Sequence, residues 1–190
     1  MILHCGTSNP GKLREFRMAA PDFEIHSIDA PAPDEHGETF EENARIKAHY
    51  YGSKVDGWAF ADDSGLEVDA LGGAPGVHSA RYAGENATDR DNNDLILKNL
   101  RGIKDRTARF VCVIALAHNG QIVKTFRGSV EGRIIDTERG PNGFGYDPMF
   151  YYEPFGCTFG EASDEQKMHV SHRGQALRGM FEYLRSIGHE

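Results

Sequence analysis

The sequence has few cysteines, no long apolar run and no excess of positive charge, and each deficit closes a class of protein. No stretch of its 190 residues approaches the length of unbroken apolar sequence that a membrane-spanning helix needs. The opening segment, MILHCGTSNPGK, runs quickly into turn residues and lacks the basic region and long apolar region of a secretory leader. A cytoplasmic protein without a membrane partner is expected. Three cysteines, Cys5, Cys112 and Cys157, form an odd set with no metal-ligand spacing. Cys5 and Cys112 lie in apolar, strand-like runs, which predicts reduced thiols with these two in the core. Lys and Arg number 21 against 29 Asp and Glu, a formal net charge of −8. That excludes the broad basic face of a protein that coats nucleic acid. An anionic ligand would need a few local cations or a metal ion to offset the surrounding carboxylates.

Length and composition are those of one globular domain with a substantial core. No repeat, linker or low-complexity segment marks a second. Ile2–Cys5 reads as a buried strand, and Asn9 as the cap of a helix with Pro10 at its first position, running toward Ala20. Phe23–Ile28 alternates like a strand. TFEE at 39–42 is a capping-box pattern opening a helix to about Val55. A strand over 58–62 is followed by a turn at Ser64–Gly65 and a second strand in LEVDAL. TDRD at 88–91 starts a helix ending near Gly102. Strands Arg109–Ala117 and Gln121–Val130 flank HNGQ, a strong hairpin signal. A final helix runs from about Ser171 to just before Gly188. Alternating strands and helices with a central hairpin predict an α/β protein with a mixed sheet.

Five short stretches carry candidate chemistry, and each has a plainer reading beside it. TSNPGK (Thr7–Lys12) is a phosphate cradle at a helix N-terminus or a simple capped strand–turn–helix; it lacks the two-glycine spacing of a Walker A loop. Asp34–Glu35 is a metal-binding pair or a solvated loop. Asp62–Asp63, at the predicted end of a strand, is a site for a hard cation such as Mg²⁺ or a turn in which the side chains cap backbone N–H groups. GFGYDP (Gly143–Pro148) offers aromatics to a flat base or forms a packed turn. EQKMHVSHRG (Glu165–Gly174) puts His172 and Arg173 in the first turn of a helix. The helix dipole disfavours cations there, so they either face an electron-rich partner or form a solvated basic start.

The order of these stretches, together with TFEENA, ADDSGLEVDALGGAPGVHSARYAG and SHRGQAL, resembles the inosine triphosphate pyrophosphatase family, the Ham1-like or RdgB-like enzymes. The resemblance runs from Thr7 to Leu177. It implies an elongated mixed β-sheet flanked by helices, two lobes with a central cleft as in ITPase and Maf-like folds, and a homodimer. It implies Mg²⁺-dependent hydrolysis of ITP, dITP or XTP to the monophosphate and pyrophosphate, a house-cleaning activity on deaminated purines. Residue by residue, Thr7, Ser8, Asn9, Pro10, Gly11 and Lys12 would hold the triphosphate. Asp63 would be the catalytic base and a metal ligand. Ser64, Phe144, Gly145, Tyr146, Asp147, Lys167, His172 and Arg173 would contact the nucleotide. Relatives often carry two glutamates where this chain has Asp34–Glu35, which leaves open which of the two reaches the metal. A nucleotide-binding module without chemistry, a Maf-like pyrimidine nucleotide hydrolase and a scaffold are the rival readings.

Overall fold

The first apolar run forms the expected strand, β1 (Ile2–Cys5), in the computed structural model of this chain, which describes residues 1–188. β1 pairs in parallel with β2 (Glu24–Ser27) on one side and with β3 (Trp58–Val68) on the other. Parallel neighbours need crossover connections, here α1 (Pro10–Ala19) and α2 (Phe40–Gly52). α1 starts as expected: Asn9 Oδ1 accepts the N–H groups of Gly11 and Lys12, a cap worth about 1 kcal/mol. The box at α2 is only half formed. Thr39 Oγ1 accepts from the Glu42 N–H, but the Glu42 carboxylate takes the Glu38 N–H instead of that of Thr39.

The largest departure from expectation is β3. No turn occurs at Ser64–Gly65; a single strand of 11 residues runs through both. Turn-prone residues make a turn only where the chain is free to leave its neighbours; β1 pairs with β3 only at Ala59 and Phe60, and the strand's other neighbour is β4 (Thr107–His118). Asp62 and Asp63 are therefore in mid-strand rather than at a strand end. Three glycines of the GGAPG loop, residues 72–76, sit in left-handed backbone. Gly72, Gly73 and Gly76 have φ of +65°, +89° and +55°, and a Cβ added at any of them would meet nothing within 4 Å. Their positive φ is the conformation that glycine adopts without strain.

α3 (Asp89–Asn99) carries a complete capping box between Thr88 and Asp91. β4 and β5 (Gln121–Ile134) join through Asn119 and Gly120, both at positive φ, as the hairpin signal predicts. β6 (Phe150–Tyr152) and β7 (Cys157–Thr158), too short to show a period, complete a seven-stranded sheet of order β2-β1-β3-β4-β5-β6-β7. α4 (Asp164–Val170) was not expected, although SDEQ at 163–166 is a capping box. α5 (His172–Ile187) closes the chain as expected.

The chain forms two compact units, with β3, β4 and β5 each contributing to both. The first holds residues 1–63, 112–128 and those from 172 onward. In it α1 packs against α5, and Phe16 of α1 meets Phe60 of β3 edge-on at 5.1 Å. α2 covers the opposite face of β3, with Gly52 against Ala59. The second unit, residues 64–111 and 129–171, has its own core, in which Phe110, Phe150 and Phe159 cluster with Leu66, Val68, Ile96 and Met149. Cys5 and Cys112 are buried free thiols as expected, and Cys157 is half-buried. Burial pushes the Cys5 thiol up to about 12, which leaves it unreactive.

Candidate active site

Successive residues of a strand point to opposite faces of a sheet, and this separates the two neighbouring carboxylates. Asp62 points with Phe60 toward α1 and α5. Lys12 Nζ of α1 lies 3.1 and 3.0 Å from its two oxygens, and Arg173 of α5 reaches Oδ2 at 3.4 Å. The same guanidinium binds the buried Glu15 of α1. Asp63 points toward α2, where Lys47 Nζ lies 3.1 Å from Oδ1 and Asn43 Nδ2 3.3 Å from Oδ2. Lys47 also reaches Glu35 Oε1 at 3.3 Å. Asn43 Oδ1 accepts the Gly37 N–H at 2.8 Å and so ties the preceding loop to Asp63.

The two carboxyls therefore differ in acidity. Burial raises Asp62, but Lys12, Arg173 and Lys47 together outweigh it and hold the group well below the usual carboxylate range. For Asp63 burial dominates, with Glu35 adding to it against Lys47 and Lys12, and its carboxyl is raised. Lys47 is pulled down by burial but lifted further by Asp63, Asp62 and Glu35, so it stays charged. A pair of carboxyls driven apart in this way can divide the work of permanent anion and proton acceptor.

The turn reading of Asp62–Asp63 and the solvated reading of the SHR segment are both excluded, since Asp62, Asp63, His172 and Arg173 are all buried. In the first loop, Thr7 Oγ1 accepts the Asn9 N–H, and Asn9 accepts those of Gly11 and Lys12. The backbone donors expected to cradle phosphate are thus already engaged by Asn9. Thr7, Asn9 and Lys12 are half-buried, while Ser8 and Pro10 are exposed. Of the acidic loop pair, Asp34 is exposed and Glu35 is the one that reaches Lys47, the lysine that also binds Asp63.

The second unit holds the other expected residues. Asp147, itself buried, takes Lys167 Nζ at 2.6 Å and the Phe144 N–H at 3.0 Å on the same oxygen. That ammonium also sits 4.8 Å from the centroid of the half-buried Phe144 ring. A Cβ on Gly143 would collide with the Asp147 carboxylate, so only glycine fits this turn. Tyr146 does not present a face for stacking. It is buried in the aromatic core, and its hydroxyl donates to Ser79 O at 2.6 Å. Gly145 lies on the loop between these residues, and Ser64 is the half-buried residue after Asp63 in β3.

Glu15, Asn43 and Lys47 went unassigned in the sequence, although a signal for each existed. Asn43 and Lys47 stand four apart on the face of α2 that also carries Phe40, Ala44 and Ala48, and polar groups on a buried helical face require partners. Glu15 beside Phe16 is the same anomaly in α1.

A sequence profile of the Ham1 family matches residues 3–183. A dITP/XTP pyrophosphatase of Syntrophobacter fumaroxidans is 50% identical over 182 residues, covering 93% of this chain and 78% of that protein. One from an Exiguobacterium species is 50% identical over 188 residues, 94% of each. Among solved structures, the Staphylococcus aureus Ham1 protein superimposes with a TM-score of 0.87 at 40% identity, over 98% of this chain and 99% of that one. A HAM1 protein of Coxiella burnetii does so with 0.88 at the same identity and coverage. With motif order, strand order and near-complete coverage in agreement, the chain belongs to the Ham1 family.

Proposed function

We propose that this protein hydrolyses deaminated purine nucleoside triphosphates, ITP, dITP and XTP, to the monophosphate and pyrophosphate. The observation that carries the reading is the separation of Asp62 and Asp63, adjacent in sequence but each buried against its own lysine, Lys12 and Lys47. The relatives named as dITP/XTP pyrophosphatases supply the substrate class. Asp63, whose carboxyl burial raises, accepts a proton from water as the water oxygen bonds to the α-phosphorus. The bond from that phosphorus to the bridging oxygen breaks, and pyrophosphate leaves. Lys12, fixed on the permanently ionised Asp62, offers its charge to the phosphates.

Glu35 and Asp63 converge on one ammonium, that of Lys47, which marks a position where two hard oxygen donors hold a cation. This donor set fits Mg²⁺, which binds through one or two carboxylates and completes its shell with phosphate oxygens. Bound there, the ion would draw charge from the phosphate oxygens. Glu35 rather than Asp34 is the second protein ligand in this reading.

Phe144, Lys167 and Asp147 form the base-binding group, with Phe144 as the stacking surface. Hypoxanthine and xanthine present an acceptor oxygen at position 6, which Lys167 can meet; adenine presents a donor. Opposing two donors in a buried site costs about 1–3 kcal/mol. Arg173, expected among the nucleotide contacts, binds Glu15 and Asp62 and fixes the phosphate-side carboxylate. Free thiols, two of them buried, support a reducing cytoplasmic setting, and the family resemblance extends the reading to a homodimer.

The test is pyrophosphate release from ITP, dITP, XTP, ATP and GTP, with Mg²⁺ and again with EDTA. Rapid release from the first three and none with chelator is expected. Equal turnover of ATP, or turnover indifferent to EDTA, would sink the reading.

A further inference from the structure

We infer that Asp89 and Asn93 of α3 are positioning residues that clamp Gly145 and thereby hold Phe144 ready to stack on the base. The inference rests on the reading of Phe144 and Lys167 as the base-binding pair. Residues four apart on a helix share a face, and these two grip the two ends of one residue. Asp89 Oδ2 accepts the Gly145 N–H at 2.8 Å, and Asn93 Nδ2 donates to the Gly145 carbonyl at 3.3 Å. Gly145 has φ of +62°, and a Cβ there would meet nothing within 4 Å. The loop is therefore held by these hydrogen bonds rather than by packing around Gly145.

The clamp is specific to an amide at position 93. Asn93 is buried, and its Nδ2 is shared between Gly145 and the Glu138 carboxylate, 2.7 Å away. Its Oδ1 is buried without a hydrogen-bond partner among the described residues. Turning the amide over would set that oxygen against two acceptors, so Glu138 dictates which way Asn93 faces. The adjacent Asn92 is bound to a different segment, accepting the Ala83 N–H and donating to Ala80 O. Each of the two asparagines thus secures its own loop. On either side of Gly145 the turn is already fixed, by Asp147 on the Phe144 N–H and by Ser79 on the Tyr146 hydroxyl. Gly145 is the remaining joint, and fixing it removes freedom that base binding would otherwise have to quench.

A double substitution separates positioning from stability. Asn93→Asp places a carboxylate against Glu138 and the Gly145 carbonyl, and is expected to lower Tm and raise KM for ITP. Adding Glu138→Gln restores a donor to that carboxylate and removes the like-charge contact, but leaves the Gly145 carbonyl without its donor. The double variant is expected to recover Tm to near wild type while KM for ITP stays roughly fivefold to tenfold high. In it kcat should hold within about twofold, and IMP, followed by calorimetry, should bind more weakly by the same factor as KM. Asp89→Ala, at an exposed position, should reproduce the KM and IMP effects with little change in Tm. Recovery of KM and IMP affinity along with Tm in the double variant, or wild-type values in Asp89→Ala, would overturn the inference. Phe144→Ala tests the underlying reading separately. Unchanged KM and IMP affinity there would remove the base platform itself, whereas a raised KM there with normal clamp variants would remove only the clamp.

Discussion

Adjacent carboxylates repel, and this chain keeps Asp62 and Asp63 apart by the pleat of a single strand, giving each its own lysine. Their substitutions should differ accordingly. Asp63→Asn is expected to abolish pyrophosphate release while ITP binding stays measurable, because the amide keeps the shape but cannot take a proton. Asp62→Asn leaves Arg173 and Lys12 with less than a full counter-charge in a buried site. It should cost on the order of 3 kcal/mol in urea denaturation, within the range for breaking a buried pair. At the same scale, Glu35→Gln should raise the Mg²⁺ concentration needed for half-maximal rate roughly tenfold, one carboxylate ligand being lost. Asp34→Asn should leave it unchanged. A metal titration that reversed the two would transfer the ligand role to Asp34. The types of these residues were legible in the sequence, but their partners were not, because Lys12, Lys47 and Arg173 reach the strand from three different helices.

At the scale of elements, β5 and α5 meet at Gly128. A Cβ there would run into the His172 carbonyl and come within 2.8 Å of Gln175 Cβ and 3.0 Å of the Ala176 nitrogen. The start of α5, with Arg173, can lie this close only because residue 128 has no side chain. Gly128→Ala should lower Tm and reduce kcat/KM together, since it displaces the guanidinium that holds Asp62; normal activity with a lowered Tm would confine its role to packing. Caps and hairpin were readable here from local chemistry: Asn9-Pro10, the Thr88–Asp91 box and Asn119-Gly120 all act within a few residues of themselves. The turn assigned to Ser64–Gly65 failed because β3 runs on past its short pairing with β1, which ends at Phe60, as the neighbour of β4, and that pairing overrode a local preference. β6 and β7 escaped notice because two or three residues carry no period.

For the whole molecule, the two carboxyls contribute to stability in opposite pH windows. Asp62 is held below its unfolded value of about 4, so the unfolded chain binds the extra proton. Its contribution is full above that pH and is lost as pH falls through and below it. Asp63 is raised, so the folded protein binds the extra proton and its contribution declines as pH rises from about 4 toward the raised value. Urea denaturation across pH should show Asp62→Asn flattening the acid limb and Asp63→Asn flattening the decline above it. Identical profiles for the two variants would contradict the assignment. Activity should follow Asp63: kcat/KM falls with acid as that carboxyl is protonated, because the base must be unprotonated.

The sequence by itself determined the family and the α/β class. These follow from motifs and local propensities in which every interacting partner is a near neighbour along the chain. Only the tertiary structure decided that Asp62 pairs with Lys12 and Arg173 and Asp63 with Lys47, that Glu35 rather than Asp34 reaches the same lysine, and that Tyr146 is core while Phe144 is half-buried. Those distinctions depend on burial and on charges brought from distant segments. Acidity is a property of surroundings, and surroundings exist only once the chain has folded.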